Sequence, residues 1–195
     1  MKVIGITGPT GAGKTTVLEV LRDHGAAVLD CDRIYYELLA GDEALRQELT
    51  EAFGDVFLPD GALNREKLGK LVFQDEKSLQ KLNTIIYYYM GLEVRRLLVA
   101  EKQKGTPLAA VDAINLVESG LGELCAFTLA VTAPETARLQ RIMARDGISE
   151  EYALARIRAQ HEDAYYVRHC HAVLHNDGTP AELKAKAEAL LNEIM

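Results

Sequence analysis

A phosphate-binding pattern lies near the start of the chain, in the segment GPTGAGKTT. Its glycines would let backbone N–H groups converge on phosphate oxygens, while Lys14 would reach the β- and γ-phosphates. The hydroxyl of Thr15 is of the type that binds Mg²⁺ at this position. The pattern predicts a nucleotide site formed by Gly8, Thr10, Gly11, Ala12, Gly13, Lys14, Thr15 and Thr16.

The residues on either side predict the strand and the helix that such a loop needs. An apolar run from Val3 to Ile6 precedes it, and Val17, Leu18 and Leu21 follow at helical spacing. The helix should run to about His24, and its N-terminus would add partial positive charge beside the phosphates. A glycine-rich turn without a ligand is the alternative, but a strand and a helix in these places favour nucleotide binding.

Acidic residues follow two of the predicted strands. The segment AAVLDCD predicts a strand over Ala26–Asp30, which would place Asp30 and Asp32 at the sheet edge that carries the phosphate loop. Asp32 could there orient or deprotonate an acceptor hydroxyl. Asp30 and Asp112 are candidates for the water shell of an Mg²⁺ ion that also binds Thr15. The alternative for a strand-end aspartate is a helix cap.

A long helical segment separates the second and third predicted strands. A turn signal lies in LPDGALN, and a further break is predicted from Tyr89 to Gly91. Because the segment is too long for one crossover helix, we interpret it as an inserted lobe for a second substrate. The predicted domains are a nucleotide-binding core over 1–32, 106–132 and 172–195, a helical acceptor-binding lobe over 33–105, and a lid with connecting helices over 133–171.

The last third of the chain alternates strands with arginine-bearing helices. Strands are predicted over Pro107 to Val111, in AFTLAVTA and in AVLH. Two capping boxes are predicted, T-A-P-E beginning at Thr132 and T-P-A-E beginning at Thr179. A helix from Ser149 should run to about Glu162. In the helix before it, Arg138, Arg141 and Arg145 share one face. Arg141 and Arg145 could close over the phosphates, although a solvated helix face is the alternative.

Composition and missing motifs narrow the class of protein. Of the 195 residues, 48% are hydrophobic, and the formal net charge is −7. This negative charge argues against non-specific binding to nucleic acid or to an anionic membrane surface. Three scattered cysteines predict no disulfide framework, and we expect a cytoplasmic protein. The D-x-x-G and N/T-K-x-D strings of GTPases are absent. The remaining prediction is transfer of phosphate from ATP to a small acceptor.

The order of these segments resembles the dephospho-CoA kinase family over nearly the whole chain. GPTGAGKTT is followed by D-C-D, FGDVFLPDGALNREKLGKLVF, L-N-T-I, RLQRIMARDGIS, RIRAQ and a closing N-D-G. The resemblance implies an α/β P-loop kinase fold, with a five-stranded parallel sheet flanked by helices, a helical substrate lobe and a lid. It also implies ATP- and Mg²⁺-dependent phosphorylation of the ribose 3′-hydroxyl of dephospho-CoA, the last step of coenzyme A biosynthesis.

The resemblance also assigns residues. It implies Asp32 as the catalytic base and Lys14 with Thr15 in the nucleotide loop. The lid arginines match Arg141 and Arg145. Acceptor contacts fall on Asp32, on Arg65 of the D-G-x-L-x-R segment, on Tyr87 and on Glu118. Stacking of Tyr87 on the acceptor has packing in a helical core or an interface as its alternative.

Four segments depart from the family's pattern. Tyr87-Tyr88 replaces a His-Pro pair, Ile114-Asn115-Leu116 replaces P-L-L, Tyr166 replaces a lid arginine, and Cys170-His171 replaces Ala-Asp. Because three of them lie where the acceptor or the lid is expected, two alternatives stay open. One is a kinase for another small nucleotide or metabolite, and the other is an ATP-binding module that has lost its reaction.

Overall fold

The computed structural model describes all residues, 1–195. Its strands are β1 (Lys2–Thr7), β2 (Ala26–Asp30), β3 (Leu108–Asp112), β4 (Phe127–Thr132) and β5 (Ala172–His175). Its helices are α1 (Lys14–Asp23), α2 (Cys31–Gly41), α3 (Glu43–Phe53), α4 (Arg65–Val72), α5 (Glu76–Gln103), α6 (Glu135–Asp146), α7 (Glu150–Arg158), α8 (Asp163–His169) and α9 (Pro180–Ile194). None of the helices has an apolar stretch long enough to cross a bilayer.

The chain divides into two compact units. The first comprises 1–28 and 101–195, and the second comprises 29–100. The predicted separation of a lid, over 133–171, from the nucleotide-binding core stays a prediction.

A five-stranded sheet in the order β2-β3-β1-β4-β5 organises the first unit. β1 runs parallel to β3 and to β4, with Ile6 aligned to Asp112 on one side and to Leu129 on the other. The buried residues of β1, such as Ile4 and Ile6, pack with α1 and α9 in one hydrophobic core. The predicted parallel α/β fold is confirmed, and the sheet order places the end of β1 between its two neighbours.

The second unit consists of helices α2 to α5 around a core of its own. Leu45, Leu49, Val56, Leu68 and Ile85 are buried together in this unit. The helical content and the turn in LPDGALN are as predicted, but the break from Tyr89 to Gly91 is wrong, because α5 is continuous over Glu76–Gln103. Glycine costs a helix interior about 1 kcal/mol, and burial of four apolar side chains along α5 offsets this cost.

Two predicted helix boundaries are corrected. Thr132 caps no helix, because it ends β4 and its hydroxyl is hydrogen-bonded to His175 Nδ1 at 2.8 Å, so that α6 begins after Pro134 without a side-chain cap. α7 ends at Arg158 rather than near Glu162, and α8 follows as a separate helix. The residues between these helices include Gln160, whose side chain forms hydrogen bonds with Thr10. The capping box at Thr179 is confirmed.

Candidate active site

The phosphate loop joins β1 to α1 and depends on three glycines. Gly8, Gly11 and Gly13 have φ values of 125°, 79° and 105°, in the region that side chains rarely adopt. A Cβ atom on Gly8 would lie 2.1 Å from the carbonyl oxygen of Val131, and one on Gly13 would lie 2.4 Å from Asn176 Nδ2. Positions 8 and 13 therefore require glycine, both because φ is positive and because a side chain would have no room.

The charge at the loop is positive. Lys14 Nζ donates a hydrogen bond to the carbonyl oxygen of Gly8 at 2.7 Å, so the lysine side chain lies across the loop. Gly13 precedes α1 without a side-chain cap, and the first turn of α1 contains no acidic residue. Both features leave the positive end of the helix dipole available to an anion. Thr15 and Thr16 lie in this first turn.

Thr10 is held by two residues from the segment that follows β4. Gln160 Oε1 accepts a hydrogen bond from the Thr10 N–H at 3.0 Å, and Gln160 Nε2 donates to Thr10 Oγ1 at 3.0 Å. Arg138 donates to the Thr10 carbonyl oxygen at 3.0 Å and to Gln160 Oε1 at 2.8 Å. All the polar groups of Thr10 are thus tied to this pair. Sequence reasoning missed Gln160, although the RIRAQ segment contains it.

Arg138 is buried, with only 6% of its surface exposed. Its burial lowers the pKa of the guanidinium, and the neighbouring Tyr166, Asp163 and Glu135 oppose this effect. Burial, followed by the nearby Glu118 carboxylate, raises the pKa of Tyr166 to about 12, so its hydroxyl stays protonated. The positive charge in this region therefore comes from Arg138, since a tyrosine stands at the position where the family pattern has an arginine.

The predicted lid arginines differ in what they contact. Arg141 donates to the carbonyl oxygen of Gly11 in the phosphate loop at 3.1 Å. Arg145 instead forms two hydrogen bonds with Asp146, which also binds Arg156 at 2.6 Å. Arg138 and Arg141 thus both contact the phosphate loop, whereas Arg145 contacts the α6–α7 junction. Closure of Arg141 and Arg145 over the phosphates stays a prediction.

A buried amide lies behind the loop. Asn176, which follows β5, is 5% exposed and donates from Nδ2 to the carbonyl oxygen of Ala12 at 2.8 Å. Its Oδ1 atom is buried without a hydrogen-bond partner. An unpaired buried acceptor is costly, and a ligand donor would satisfy it. The N-D-G segment after the last strand was the available sequence signal for this residue.

Glu118 lies in an aromatic and imidazole cluster. Its carboxylate pairs with His161 Nε2 at 2.7 Å, and the His161 ring stacks on Tyr165 with 3.7 Å between centroids. Burial, followed by contact with Glu118, raises the pKa of Tyr165 to about 12. The Glu118 carboxylate, predicted to contact the acceptor, is therefore already paired with side chains of the protein.

The three histidines near β5 have separate structural partners. His169 Nδ1 is hydrogen-bonded to the Tyr165 carbonyl oxygen at 2.7 Å, and His171 Nδ1 accepts from the Thr128 N–H at 3.0 Å. His175 is bonded to Thr132, as described above. No group of three His, Cys, Asp or Glu side chains in the chain is arranged to hold a metal. The predicted Mg²⁺ ligands would therefore have to act with water and phosphate oxygens.

Asp30 and Asp32 stand at the start of α2 in the second unit. Asp30 caps the helix, accepting a hydrogen bond from the Arg33 N–H at 3.1 Å, so the capping alternative holds for this residue. Asp32 is exposed in the first helical turn. Asp112 ends β3 in the first unit. A role for these carboxylates in binding Mg²⁺ or an acceptor stays a prediction.

The remaining predicted acceptor contacts also lie in the second unit. Arg65 begins α4 and is exposed, with its guanidinium carbon 4.9 Å from the centroid of the Tyr36 ring. Tyr87 is half-buried within α5. Its neighbour Tyr89 donates to Glu48 at 3.0 Å, while Tyr88 is 60% exposed. The three tyrosines therefore face different surroundings.

The family model and the curated relatives that match this chain name the same family. The family model described as dephospho-CoA kinase matches residues 2–182. A dephospho-CoA kinase from Dehalococcoides mccartyi is 35% identical over 194 residues, which cover 99% of this chain and 98% of that protein. A protein of known structure from Thermus thermophilus is 36% identical, with a TM-score of 0.77 and coverage of 100% of this chain and 98% of that one. The structure of a dephospho-CoA kinase from Campylobacter jejuni, 20% identical, has the same fold with a TM-score of 0.70 over 100% of this chain and 98% of its own.

Proposed function

This chain belongs to the dephospho-CoA kinase family, and on that premise we propose how its residues transfer the γ-phosphate of ATP to the ribose 3′-hydroxyl of dephospho-CoA. The reaction is the last step of coenzyme A biosynthesis. The observation that carries the proposal is the phosphate loop. Three of its glycines have a positive φ, the Lys14 side chain lies across it, and the helix that follows has no side-chain cap at its N-terminus. ATP and a small-molecule acceptor are the substrates.

The nucleotide is held by the loop over Gly8–Thr16. Backbone N–H groups of the loop and of the first turn of α1 bind the phosphates, and the Lys14 ammonium binds the β- and γ-phosphates. Arg141, which already contacts Gly11, adds a second positive charge at the loop. The unpaired Oδ1 atom of Asn176 offers an acceptor to an amino group of the nucleotide. Arg145 would have to leave Asp146 to reach a phosphate.

Hydroxyl and carboxylate oxygens are the donor types that Mg²⁺ prefers, and few of them are needed because the ion keeps several waters. We assign the Thr15 hydroxyl to direct contact, with Asp30 and Asp112 in the water shell. When bound, Mg²⁺ neutralises charge on the phosphates of ATP. One carboxylate oxygen of Asp30 is used in the cap of α2 and the other can accept from water.

Asp32 is the proposed general base. Its carboxylate accepts the proton of the 3′-hydroxyl as the ribose oxygen forms a bond to the γ-phosphorus. The bond between this phosphorus and the oxygen that bridges it to the β-phosphate breaks, and ADP leaves with that oxygen. Lys14 stabilises the charge that develops on the transferred group and on the leaving oxygen. Arg65, Tyr87 and Glu118 are assigned to binding the acceptor.

The experiment measures ADP release from ATP and Mg²⁺, with and without dephospho-CoA. The wild-type protein should show release that dephospho-CoA stimulates. Asp32→Ala should bind ATP normally but lose the stimulation, because the loop is intact and the base is missing. Asp23→Asn is the matched control, since Asp23 forms only a surface ion pair with Lys184.

Two results would contradict the proposal. ATP binding without stimulation by dephospho-CoA would mean that another acceptor is used or that the reaction has been lost. Full turnover in Asp32→Ala would show that a different group accepts the proton. We also expect the enzyme in the cytoplasm, where its three free cysteines would remain reduced.

A further inference from the structure

Two adjacent side chains join the short segment between α7 and α8, residues 159–162, to other parts of the first unit. Gln160 is hydrogen-bonded to Thr10 of the phosphate loop. His161 Nε2 lies 2.7 Å from a carboxylate oxygen of Glu118, which follows β3. Because Gln160 and His161 share a peptide bond, the contact with Glu118 also restrains the backbone that carries Gln160.

Glu118 belongs to a turn whose conformation is fixed by hydrogen bonds and packing. The Ser119 N–H donates to the carbonyl oxygen of Asn115 at 2.9 Å, and the Gly122 N–H donates to that of Leu116 at 3.0 Å. Leu116 is fully buried, so the turn packs into the protein interior. The Glu118 carboxylate is therefore a partner whose position the fold determines.

The ring of His161 is oriented by an aromatic neighbour on α8. It stacks on the Tyr165 ring, with 3.7 Å between the centroids and 11° between the ring planes. The Tyr165 side chain also forms a hydrogen bond with Glu118. The three side chains therefore contact one another, and the stack keeps His161 Nε2 beside the carboxylate.

The strength of the contact between His161 and Glu118 depends on the charge of the imidazole. A protonated histidine forms an ion pair with a carboxylate, whereas a neutral one forms at most a hydrogen bond. Histidine is the side chain whose charge ordinarily changes between pH 5 and pH 8. Since the two side chains are 49% and 28% exposed, solvent screens the pair, and its effect on a binding constant should be a few-fold.

Four other ionisable side chains near the pair keep the same charge between pH 6 and pH 8. Burial, followed by the Glu118 carboxylate, raises the pKa of both Tyr165 and Tyr166 to about 12. Burial also raises the pKa of the Cys170 thiol. These three groups therefore stay uncharged. Arg138 on α6 stays charged, because a guanidinium does not lose its proton in proteins.

Two further histidines lie on α8 and β5. The His169 ring is 4.3 Å from the Tyr165 ring, on which His161 also stacks. His175 lies 3.9 Å from Asp163, at the start of α8. His169 is thus the histidine whose charge an experiment must separate from that of His161.

We propose that His161 is a positioning residue for the nucleotide site. Its protonated imidazole, paired with Glu118, holds residues 159–162 in place, and Gln160 then keeps its hydrogen bonds to Thr10. The inference rests on the proposed function, since it takes the phosphate loop as the ATP site. It adds that protonation of His161 and binding of ATP favour each other, a coupling that is reciprocal.

The test measures the dissociation constant Kd for ATP with Mg²⁺ by isothermal titration calorimetry at pH 6 and pH 8. The acceptor is omitted, because Glu118 is also assigned to its binding. The ratio of Kd at pH 8 to Kd at pH 6 should be about three-fold smaller in His161→Gln than in the wild type, since glutamine keeps a donor but carries no charge. Ionisation of ATP itself contributes equally to the ratio in every protein.

His24→Gln is the matched control. His24 follows α1 and pairs with Glu188 of α9 at 3.3 Å, with comparable exposure of both side chains. This variant should keep the wild-type ratio, and so should His169→Gln. His161→Lys carries a charge at both pH values, so its ratio should be as small as that of His161→Gln, but it should bind ATP about three-fold more tightly at pH 8.

Two results would overturn the inference. One is a ratio in His161→Gln equal to that in His24→Gln, which would show that the charge of His161 does not affect the loop. The other is ATP binding by His161→Lys at pH 8 that is as weak as that of His161→Gln. Since His161 is exposed, these variants should melt within a few degrees of the wild type.

Hydrogen–deuterium exchange separates this inference from the proposed function. The Thr10 N–H donates to Gln160, so without ligand at pH 6 a peptide containing Thr10 should exchange about three-fold faster in His161→Gln than in His24→Gln. If the wild type binds no ATP, the proposed function fails, and exchange alone decides the role of His161. If the wild type binds ATP and both readouts in His161→Gln match those of His24→Gln, only the role of His161 fails.

Discussion

Gln160 and Thr10 are joined by two hydrogen bonds of 3.0 Å, although 150 residues separate them in the chain. Gln160 also accepts from Arg138, so the amide holds the phosphate loop from the segment between α7 and α8. The same Thr10 peptide forms part of the loop that we propose binds the nucleotide. The position of this loop therefore depends on a side chain that belongs to a distant element.

Gln160→Leu should raise KM for ATP about 10-fold, because the Thr10 N–H and the Arg138 guanidinium would lose their acceptor. Gln160→Glu should recover most of this loss, since a carboxylate still accepts from both groups. Steady-state kinetics with ATP as the varied substrate provides the measurement. Gln47→Leu is the control, as Gln47 bonds only to Glu51 on the surface. An unchanged KM in Gln160→Leu would refute a role in positioning the loop.

Lys14→Ala should reduce kcat/KM by about 100-fold or more, since it removes a positioned charge from the transferred group. The measurement is ADP release stimulated by dephospho-CoA. Lys104→Ala provides a comparison, because Lys104 pairs with Glu101 in an exposed position. Wild-type turnover in Lys14→Ala would overturn the assignment of the nucleotide site.

Two glycine substitutions should have opposite effects on stability. Gly8→Ala should lower the free energy of unfolding by at least about 2 kcal/mol, since its Cβ would meet backbone atoms of Val131 at a strained φ. Gly91→Ala should raise it by about 0.5–1 kcal/mol, because Gly91 lies inside α5 with nothing within 4 Å of an added Cβ. Urea denaturation measures both. Equal effects would mean that the loop conformation is not as described.

The Asp146 ion pairs should make stability depend on pH in acid. Hydrogen bonds from Arg145 and Arg156 lower the pKa of Asp146 to about 2. Because the folded protein binds this proton less tightly than the unfolded chain, the stabilisation is complete above the usual pKa of about 4. It is lost as the pH falls through about 2.

Denaturation of the wild type and of Asp146→Asn over this range measures the effect. The wild type should be the more stable protein at pH 6, and the difference should shrink towards pH 2. Asp23→Asn serves for comparison, since Asp23 forms a surface pair outside the α6–α7 junction. A difference between wild type and Asp146→Asn that stays constant from pH 6 to pH 2 would contradict the assignment.

The Cys125 thiol should be unreactive in the native protein. Burial raises its pKa to about 12, so the nucleophilic thiolate is scarce at pH 8. Mass spectrometry after brief treatment with iodoacetamide should find Cys125 unmodified, and denaturant should expose it to complete labelling. Rapid labelling of the native protein at Cys125 would show that the thiol is accessible and ionised.

Much of the fold could be predicted because it depends on local sequence. The five strands, the cap at Ser149, the capping box at Thr179 and the glycines of the phosphate loop all follow from residue types and their spacing. Three predictions were wrong: the break at Tyr89 to Gly91, the cap at Thr132 and the end of α7 near Glu162. The first two arose where packing or a distant hydrogen bond outweighed a local preference.

By itself the sequence determined the phosphate loop, because a left-handed backbone and close approach permit only glycine at Gly8 and Gly13. Tertiary structure alone decided which side chains hold that loop. Gln160 reaches Thr10 and Asn176 reaches Ala12 across 150 and 164 residues, and no periodicity or spacing encodes such contacts. The reason is physical: local patterns report backbone preferences and burial, whereas these hydrogen bonds exist only once the parallel strands bring distant loops to one edge of the sheet.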